Sequence, residues 1–565
     1  MNIDRNKSMS GAEDWKAYER SVINSALWAA AGDALGWITE LAFSRSKVKA
    51  RSGQSEVRRP ISWNRMIGGR NGPKVYFPAG TYSDDTQLRL AVSRSIRGDG
   101  VFDAESFAKV EVTVWPNYAL GGGKGTKAAA LNLSRRGVNW FSNFFESGGQ
   151  NYIHGGGNGA AMRIQPHVWS SNGNRVDLIL NVLKDSLVTH GHPHGFCGAV
   201  FHALALHSTI KEGRVPDIKE WYGYADSFSE ILEAVSLEPR LSSFWQPAWE
   251  EKVGISLKEA LVRTCYEAKS DIDRLSVLIK DLSANSYRDV LEELGCLTSE
   301  YRGSGLKTAL AALALSYIYR EGDIEEALGV SSNELESDTD TIATMAGAIL
   351  GVGAENPPEW DIQDKEYIVC EARRLSAVAM GEVSQSFPYP DLGYWDPPCS
   401  QVEAVAWTDS GMAISGLGHL SRYGEEYKSG SAIWQWCKLP YGQTILAKRK
   451  VGLKESLPVS QLPDFHSVES KPVSSAADVN REDFFVQSRL PIDSNADDNE
   501  LTKKPQSERD FIDIATDEII SSGFDDVTIG KFINQCIDCD GSIVKAVSLV
   551  AIVAKAKLAR KRRGK

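Results

Sequence analysis

Residues Glu336-Ser337-Asp338-Thr339-Asp340-Thr341 (ESDTDT, 336–341) open a segment with apolar residues at helical spacing. The last four of these residues, Asp338–Thr341, form a tetrad, and a related tetrad, Ser83-Asp84-Asp85-Thr86 (SDDT, 83–86), opens a similar segment much earlier in the chain. Apolar or small residues recur every three or four positions after each tetrad, as on one face of a helix. The pattern predicts that both tetrads lie at helix N-termini.

Two interpretations of these tetrads remain open from the residues alone. Ser, Thr and Asp are the usual N-cap residues, because their oxygens accept the free amide hydrogens of the first turn. Capping requires one or two side chains, however, and each tetrad carries four consecutive oxygen-bearing ones. Carboxylates and hydroxyls are also the ligands that suit Mg²⁺, Mn²⁺ or Ca²⁺, so two facing tetrads could hold a pair of metals.

Composition sets limits on the class of protein. The chain has 565 residues, 42% of them hydrophobic, and a net charge of −11, which argues against a general nucleic-acid binder. It shows no 18-residue apolar run and no secretory signal at its start, so we expect a cytoplasmic protein without a membrane span. The scattered cysteines fit thiols in a reducing compartment.

Four regions are predicted along the chain. Residues 14–385 contain several alanine-rich helical patterns, which predict a compact bundle, with long loops at 44–82 and 113–127. Residues 395–452 contain short strand-like runs and predict a small β-rich unit. Residues 453–510 predict a disordered linker, and residues 511–565 a helical C-terminal domain with a basic tail.

Two further segments resemble parts of a catalytic site. GDALGWITE (32–40) places Asp33 and Glu40 around a small-residue helix end. GGGNGAAMR (155–163) is a glycine run whose backbone could approach a phosphate or ribose closely, although most such runs are only flexible turns.

In this order the segments resemble the ADP-ribosylglycohydrolase family, whose members include relatives of the dinitrogenase reductase-activating glycohydrolase. The matching motifs are the following: Gly32–Glu40, Ser83–Thr86, Gly157–Arg163, Thr189-His190, Asp338–Thr341 and the proline–tryptophan segment 357–360. The resemblance covers about residues 18–385. It implies an all-α fold, in which a compact helical domain with a dinuclear metal cleft precedes the β-rich unit and the helical tail.

The resemblance also assigns roles. It implies two Mg²⁺ or Mn²⁺ ions, held by Ser83, Asp84, Asp85, Asp338, Asp340 and Thr341. It implies catalytic roles for Glu40, as the acid/base, and for Asp84 and Asp85. It implies substrate binding by the glycine loop and one histidine, namely Gly155, Gly156, Gly157, Asn158, Gly159 and His190.

The function expected from this resemblance is hydrolysis of the C1′ N- or O-glycosidic bond of an ADP-ribosyl group, with release of ADP-ribose from a modified protein. Two alternatives stay open. One is a hydrolase acting on ADP-ribosylated nucleic acid or a small ADP-ribosyl molecule, and the other is a non-catalytic ADP-ribose-binding module. We expect the C-terminal extension to serve partner binding, with a protein or a nucleic acid as the partner.

The sequence departs from the family pattern in places. Glu336-Ser337 stands where the family usually has two glycines, and the added carboxylate could face the metals or point away. Of the histidines at 189–195, His190 is assigned to substrate, while His192 and His194 are interpreted as loop or capping residues. Cys536 and Cys539 form an isolated pair, interpreted as half-buried helix cysteines.

Overall fold

The computed structural model describes residues 12–69, 71–280, 287–453, 456–465, 511–540, 546, 549–550, 552–554 and 557. The chain forms two compact units, Met1–Val473 and Ser474–Lys565. No helix among the described residues is both long enough and apolar enough to cross a membrane.

The first unit is mostly helical. Its α-helices are α1 (Ala12–Thr39), α2 (Arg45–Ser52), α3 (Asp84–Ser95), α4 (Ala104–Ser106), α5 (Val112–Val114), α6 (Lys124–Leu133), α7 (Gln165–Trp169), α8 (Arg175–Leu187), α9 (Pro193–Glu212), α10 (Ile218–Asp226), α11 (Glu230–Leu237), α12 (Gln246–Val253), α13 (Leu257–Lys280), α14 (Tyr287–Glu293), α15 (Gly305–Ile318), α16 (Ile324–Ser332), α17 (Thr339–Gly351) and α18 (Lys365–Ala379).

The strands form small antiparallel sheets. They are β1 (Trp63–Met66), β2 (Lys74–Phe77), β3 (Glu146–Ser147), β4 (Gln150–Asn151), β5 (Val405–Thr408), β6 (Gly411–Ile414), β7 (Gly418–His419), β8 (Ser421–Ser429), β9 (Ala432–Lys438) and β10 (Thr444–Lys450). β1 pairs with β2 and β3 with β4, while the later strands form two three-stranded sheets, β5-β6-β7 and β8-β9-β10. The fold is therefore mostly helical with added sheets, rather than purely α.

Helices α1 and α17 pack closely at the centre of the helical region, because small residues line their interface. A Cβ atom on Gly36 would lie 2.4 Å from the Thr339 carbonyl oxygen, and one on Gly347 would lie 2.4 Å from that of Trp28. Only glycine permits such an approach of two backbones. This contact fixes the start of α17, which carries the second tetrad, against the C-terminal half of α1.

The segments that we expected to be long loops contain regular structure. Residues 44–82 include α2 and the β1-β2 hairpin, and residues 113–127 include the end of α5, a 3₁₀ turn at Trp115–Asn117 and the start of α6. The loop prediction was wrong here because buried side chains, such as Trp63 and Phe77, order the hairpin against Trp37. Local sequence polarity does not reveal such tertiary packing.

The β unit packs against the helical region. Trp434, Trp436 and Leu446 belong to the same buried cluster as the helices, and Ile414 and Ile445 share a second cluster with Trp115. Residues 456–465 fall within the stretch expected to be disordered, yet Leu457 donates its N–H to the Trp407 carbonyl and Leu462 is buried. Residues 454–455 and 466–510 of that stretch lie outside the described residues.

The described part of the second unit includes the helices α19 (Phe511–Ser521) and α20 (Asp526–Asp540). Their apolar faces meet in a small core that includes Ala515, Ile519, Phe532 and Cys536. The burial of Cys536 in this core agrees with its interpretation as a helix cysteine. The side chain of Cys539 and most of the basic tail lie outside the described residues.

Candidate active site

Both tetrads lie at helix N-termini, as the sequence predicts. Ser83 is the N-cap of α3, and its hydroxyl accepts a 3.3 Å hydrogen bond from the Asp85 N–H. Asp338 occupies the N-cap position of α17, but its side chain makes no capping hydrogen bond. Capping therefore accounts for the Ser83 hydroxyl and leaves the carboxylates without a structural role of that kind.

Asp33 joins α1 to the first tetrad. Its fully buried carboxylate accepts hydrogen bonds from the backbone N–H groups of Ser83 and Thr86, both at 2.9 Å, and from the Thr86 hydroxyl at 2.6 Å. Asp33 thus fixes the position of the α3 N-terminus. Asp33 belongs to the first sequence motif but was not predicted as a ligand, because its hydrogen-bond partner Ser83 lies 50 residues away.

Three carboxylates converge where α1, α3 and α17 meet. One oxygen each from Asp33, Asp85 and Asp340 lies within 4.8 Å of the others. The Thr341 hydroxyl lies 3.2 Å from both carboxylate oxygens of Asp85, so the two tetrads touch directly. This grouping of oxygen atoms is compact enough to hold a metal ion.

The negative charges of the carboxylates in this cluster repel one another. Burial raises the pKa of Asp84 to about 7, and the negative charges of Glu40 and Asp33 add to the rise. Burial also raises the pKa of Asp85 and Asp340 well above the usual range, and their acidic neighbours raise it further. Since a bound divalent cation would offset this repulsion and hard oxygen ligands suit Mg²⁺ or Mn²⁺, the residues present fit such an ion.

Glu40 lies at the rim of the cluster. It follows the last residue of α1, and its side chain is 19% exposed, whereas Asp33, Asp85 and Asp340 are buried. The Arg65 guanidinium on β1 donates a 3.0 Å hydrogen bond to the Glu40 carboxylate. Arg65 therefore holds Glu40 beside the carboxylates, and no sequence motif predicts this contact.

The glycine loop Gly155–Gly159 reaches the second tetrad through Asn158. The Asn158 side-chain amide donates a 2.8 Å hydrogen bond to Asp338. The backbone N–H groups of Gly155, Gly156 and Asn158 are already bonded to carbonyls within the protein. Among the described residues of the loop, only the N–H groups of Gly157 and Gly159 lack an acceptor. Fewer backbone donors are therefore available for a phosphate than the motif predicts.

A buried ion pair between Arg163 and Asp185 supports this loop. Arg163 donates to the Asp185 carboxylate at 2.8 Å, to the Gly159 carbonyl at 3.0 Å and to the Thr189 hydroxyl at 2.9 Å. Thr189 in turn contacts Nδ1 of His190 at 2.7 Å. Two motif residues, Arg163 and Thr189, thus position the loop and the histidine, and Asp185 is their partner that no motif revealed.

His190 is buried beneath the loop. A Cβ atom on Gly159 would lie 3.0 Å from its ring. Burial lowers the pKa of His190 to about 3, so the ring is neutral at physiological pH. The neighbouring His192 is the N-cap of α9 and accepts a hydrogen bond from the His194 N–H, in agreement with the capping interpretation.

The acidic residue that replaces a family glycine points away from the cluster. The Glu336 carboxylate is half exposed and pairs with the Arg288 guanidinium at 2.6 Å. Arg302 binds the Glu336 backbone carbonyl. The added charge is therefore neutralised outside the site, and the Glu336 carboxylate does not face the predicted metal ligands.

The fold and the site define a mostly helical protein with a buried carboxylate cluster at the meeting point of three helices. A sequence model of the ADP-ribosylglycohydrolase family matches residues 16–382, and the chain belongs to this family. It is 26% identical over 301 residues to the ADP-ribosylhydrolase ARH3 of Danio rerio, a match that covers 50% of this chain and 72% of that protein.

Two further relatives are similar. The ADP-ribosylhydrolase ARH3 of Gallus gallus is 28% identical over 302 residues, covering 50% of this chain and 73% of the relative. The ADP-ribosyl-[dinitrogen reductase] glycohydrolase of Rhodospirillum rubrum is 27% identical over 175 residues, covering 29% of this chain and 49% of the relative. The family hydrolyses ADP-ribosyl groups and is metal-dependent, and this chain is a glycosyl hydrolase.

Proposed function

We propose that this chain releases ADP-ribose from a modified macromolecule by breaking the glycosidic bond at C1′ of the distal ribose. The observation that carries the proposal is the convergence of Asp33, Asp85 and Asp340, with Glu40 at the rim of the same cluster. The sequence-based expectation of a modified protein, and the alternative of a modified nucleic acid, share this bond-breaking step.

Two Mg²⁺ or Mn²⁺ ions would be held by the side chains of the two tetrads: Ser83, Asp84, Asp85, Asp338, Asp340 and Thr341. When bound, they would supply attraction for the ribose hydroxyls and lower the pKa of a coordinated water. The hydrogen bonds from Asn158 to Asp338 and from Thr341 to Asp85 hold two of these carboxylates in fixed orientations. Such supporting contacts set the geometry of a metal site.

The protein's own groups act on the two ends of the substrate. The free N–H groups of Gly157 and Gly159 would bind the diphosphate, because a glycine backbone lets an anion come close. The ring of His190 is neutral and is held in place by Thr189. It supports this loop and would contact the ribose next to the diphosphate.

The reaction at C1′ is a hydrolysis. The bond from C1′ to the leaving group breaks as positive charge develops on the ribose, and the surrounding carboxylates stabilise that charge. The oxygen of water then bonds to C1′. Glu40 would accept the proton from this water and donate it to the leaving group. Its position at the partly exposed rim, held by Arg65, suits a group that must meet both.

The test measures the release of ADP-ribose by chromatography, with Mg²⁺ or Mn²⁺ present in the reaction. The substrates are arginine-linked, serine-linked and nucleic-acid-linked ADP-ribose, together with ADP-ribose acetylated at the C1′ oxygen of the distal ribose. We expect the wild type to act on at least one, and Glu40→Gln and Asp338→Ala to be inactive while still folded. Glu233→Gln, at an exposed glutamate on α11, is the matched control and should stay active. ADP-ribose binding without turnover by the wild type would instead identify a binding module.

A further inference from the structure

We propose that a pocket between the catalytic cluster and the β unit binds a nucleobase and its adjoining phosphate, and that the ADP-ribose is removed from nucleic acid. This inference rests on the proposed function and specifies its substrate class. The junction pocket, as we call it, has a volume of about 380 Å³ and is lined by residues that include Trp37, Arg65, Asn117, Lys127, Trp434 and Lys448. That volume is within the range of small-molecule sites.

The junction pocket opens beside the reacting end of the site. Arg65 on its wall is bonded to Glu40. Gly121, also on its wall, lies so close to Asp84 that an added Cβ would be 2.5 Å from the carboxylate oxygen. Asn158, which would hold the ADP end, contacts the other tetrad at Asp338. The group attached to C1′, which must meet Glu40, therefore falls on the side of the junction pocket.

The charge of the pocket favours an anionic group. Arg65, Lys127 and Lys448 are basic, and no acidic side chain is present among its described lining residues. Glu40 offsets the charge of Arg65, and the Lys127 ammonium donates to the carbonyls of Gly121 and Gly122 beside Asp84. The Lys448 ammonium therefore remains for a phosphate, which basic side chains bind strongly. An arginine leaving group would bring a guanidinium into this positive environment, which disfavours arginine-linked ADP-ribose.

The pocket is also lined by the ring of Trp434, which is otherwise packed in the core and is 7% exposed. The Lys448 ammonium lies 5.0 Å from the centre of the Trp434 ring, so cation and ring are adjacent. A nucleotide presents a flat base next to a phosphate, and base stacking on an aromatic side chain is a common mode of binding single strands. Partial burial lowers the pKa of Lys448, and a bound phosphate would favour its charged form.

Two buried polar atoms at the pocket have no hydrogen-bond partner among the described residues: Nε1 of Trp37 and Oδ1 of Asn117. Trp37 is 1% exposed and Asn117 is 4% exposed. The Asn117 side-chain amide already donates to the backbone carbonyls of Gln401 and Lys448. Buried polar atoms are rarely left unpaired, and a base carries both donors and acceptors that would pair with them.

The β unit supplies Trp434 and Lys448, and both lie beyond residue 382, where the family match ends. The matched region alone would lack this ring and this ammonium group. The added β unit therefore provides the specificity for the leaving group, while the helical region provides the chemistry.

The test compares two charge reversals on the β unit. Lys448→Glu changes the pocket, and Lys438→Glu makes the same change at an exposed residue of β9 outside it. Each full-length variant is assayed on a single-stranded oligonucleotide with ADP-ribose on one base and on ADP-ribose acetylated at the C1′ oxygen of the distal ribose. The acetate leaving group of the second substrate is too small to fill the pocket. Thermal unfolding checks that both variants fold.

We expect Lys448→Glu to lower kcat/KM for the oligonucleotide about tenfold or more, because an attraction to phosphate becomes a repulsion. Its kcat/KM for acetylated ADP-ribose should change less than about twofold, and Lys438→Glu should leave both values unchanged. Equal effects of the two variants on the oligonucleotide would overturn the proposal. Serine-linked ADP-ribose on a protein is assayed in the same way, and a loss on that substrate alone would overturn the nucleic-acid class.

A binding measurement separates this inference from the proposed function. Fluorescence anisotropy of a labelled, unmodified oligonucleotide reports binding without any turnover. We expect Lys448→Glu to bind the oligonucleotide more weakly than Lys438→Glu, whether or not any substrate is hydrolysed. If this difference is found but no substrate is hydrolysed, only the catalytic proposal fails. Hydrolysis of acetylated ADP-ribose with equal oligonucleotide binding by both variants would retain the catalytic proposal and reject the pocket.

Discussion

Asn158 donates a 2.8 Å hydrogen bond to the carboxylate of Asp338, and this bond joins the glycine loop to the second tetrad. Asp338 makes no capping hydrogen bond of its own, so Asn158 is the neighbour that orients it. The loop's position depends in turn on Arg163, which binds the Gly159 carbonyl. The two motifs are thus one structural unit, although 180 residues separate their hydrogen-bonded members.

Replacing Asn158 by alanine should therefore impair catalysis more than folding. Loss of a supporting hydrogen bond to a metal-site carboxylate commonly lowers metal affinity or activity by about 10- to 100-fold. We expect Asn158→Ala to reduce ADP-ribose release within that range and to require more Mg²⁺ for half-maximal activity. Asn356→Ala, at an exposed asparagine, is the control. Full activity of Asn158→Ala at low Mg²⁺ would show that Asp338 does not need this bond.

The acidic cluster makes the metal-free protein less stable than its packing would allow. Burial and the charges of Glu40, Asp338 and Asp85 raise the pKa of Asp340, so its charged form is disfavoured. We expect Asp340→Asn to raise the melting temperature in EDTA, because one of the repelling charges is removed. The same variant should lose the stabilisation that Mg²⁺ or Mn²⁺ gives the wild type, since a ligand that binds the native state shifts the unfolding equilibrium. Scanning calorimetry with and without metal measures both effects, and a lower melting temperature of Asp340→Asn in EDTA would contradict this account.

The sequence predicted the parts of the site that depend on local pattern. The tetrads at the starts of α3 and α17 follow from capping chemistry and helical periodicity, and the structure places both there. The strands β5, β9 and β10 lie within the stretch whose short strand-like runs predicted a β-rich unit. These features depend on neighbouring residues only, which is why one sequence is enough to find them.

The remaining features depend on which side chains meet in three dimensions. The pairing of Arg65 with Glu40 requires the β1-β2 hairpin to fold over the end of α1, and the hairpin lies in a stretch that resembles a loop. The direction of Glu336 depends on the distant Arg288. The role of Asp33 depends on the docking of α3 against α1. No periodicity or motif spacing encodes these contacts.

The buried pair of Asp185 and Arg163 should be important for stability and show a defined pH dependence. Both side chains are fully buried, and removal of one partner leaves a buried charge unpaired, at a cost of about 3–5 kcal/mol. Asp185→Asn should therefore lower the free energy of unfolding by about that amount at pH 7. Asp177→Asn, at an exposed residue of the same helix α8, should change it by less than about 0.5 kcal/mol.

The pH dependence follows from the pKa of Asp185. Burial alone would raise this pKa, but the charge of Arg163 and the hydrogen bond from His167 outweigh burial and lower it. A lowered pKa in the folded state gives stabilisation that is fully present above the unfolded value, about 3.9, and is lost as the pH falls towards the folded value. The difference between wild type and Asp185→Asn should thus be constant near neutrality and shrink below about pH 4. Urea unfolding at several pH values tests this, and a difference that grows on acidification would reverse the assigned sign.

The approach of α1 to α17 should control both stability and activity. A Cβ atom on Gly36 would lie 2.4 Å from the Thr339 carbonyl oxygen and 2.5 Å from the Cα atom of Asp340, so alanine there must push the start of α17 away. Overpacking of this kind costs about 1–3 kcal/mol. We expect Gly36→Ala to lose stability by that amount and to lose ADP-ribose release as well, because Asp340 moves with the helix.

Gly223→Ala provides the matched comparison for Gly36→Ala. Gly223 lies in α10, and an added Cβ would meet nothing within 4 Å. Alanine in an open helical position is more favourable than glycine by about 0.5–1 kcal/mol, so this variant should be slightly more stable and fully active. Urea unfolding and ADP-ribose release, measured on both variants, separate the effects. Since both changes add the same methyl group to a helix, a difference in activity between them can arise only from what the methyl group touches. An active Gly36→Ala protein would show that the carboxylates tolerate displacement of α17, and the site would then not depend on this close contact of backbones.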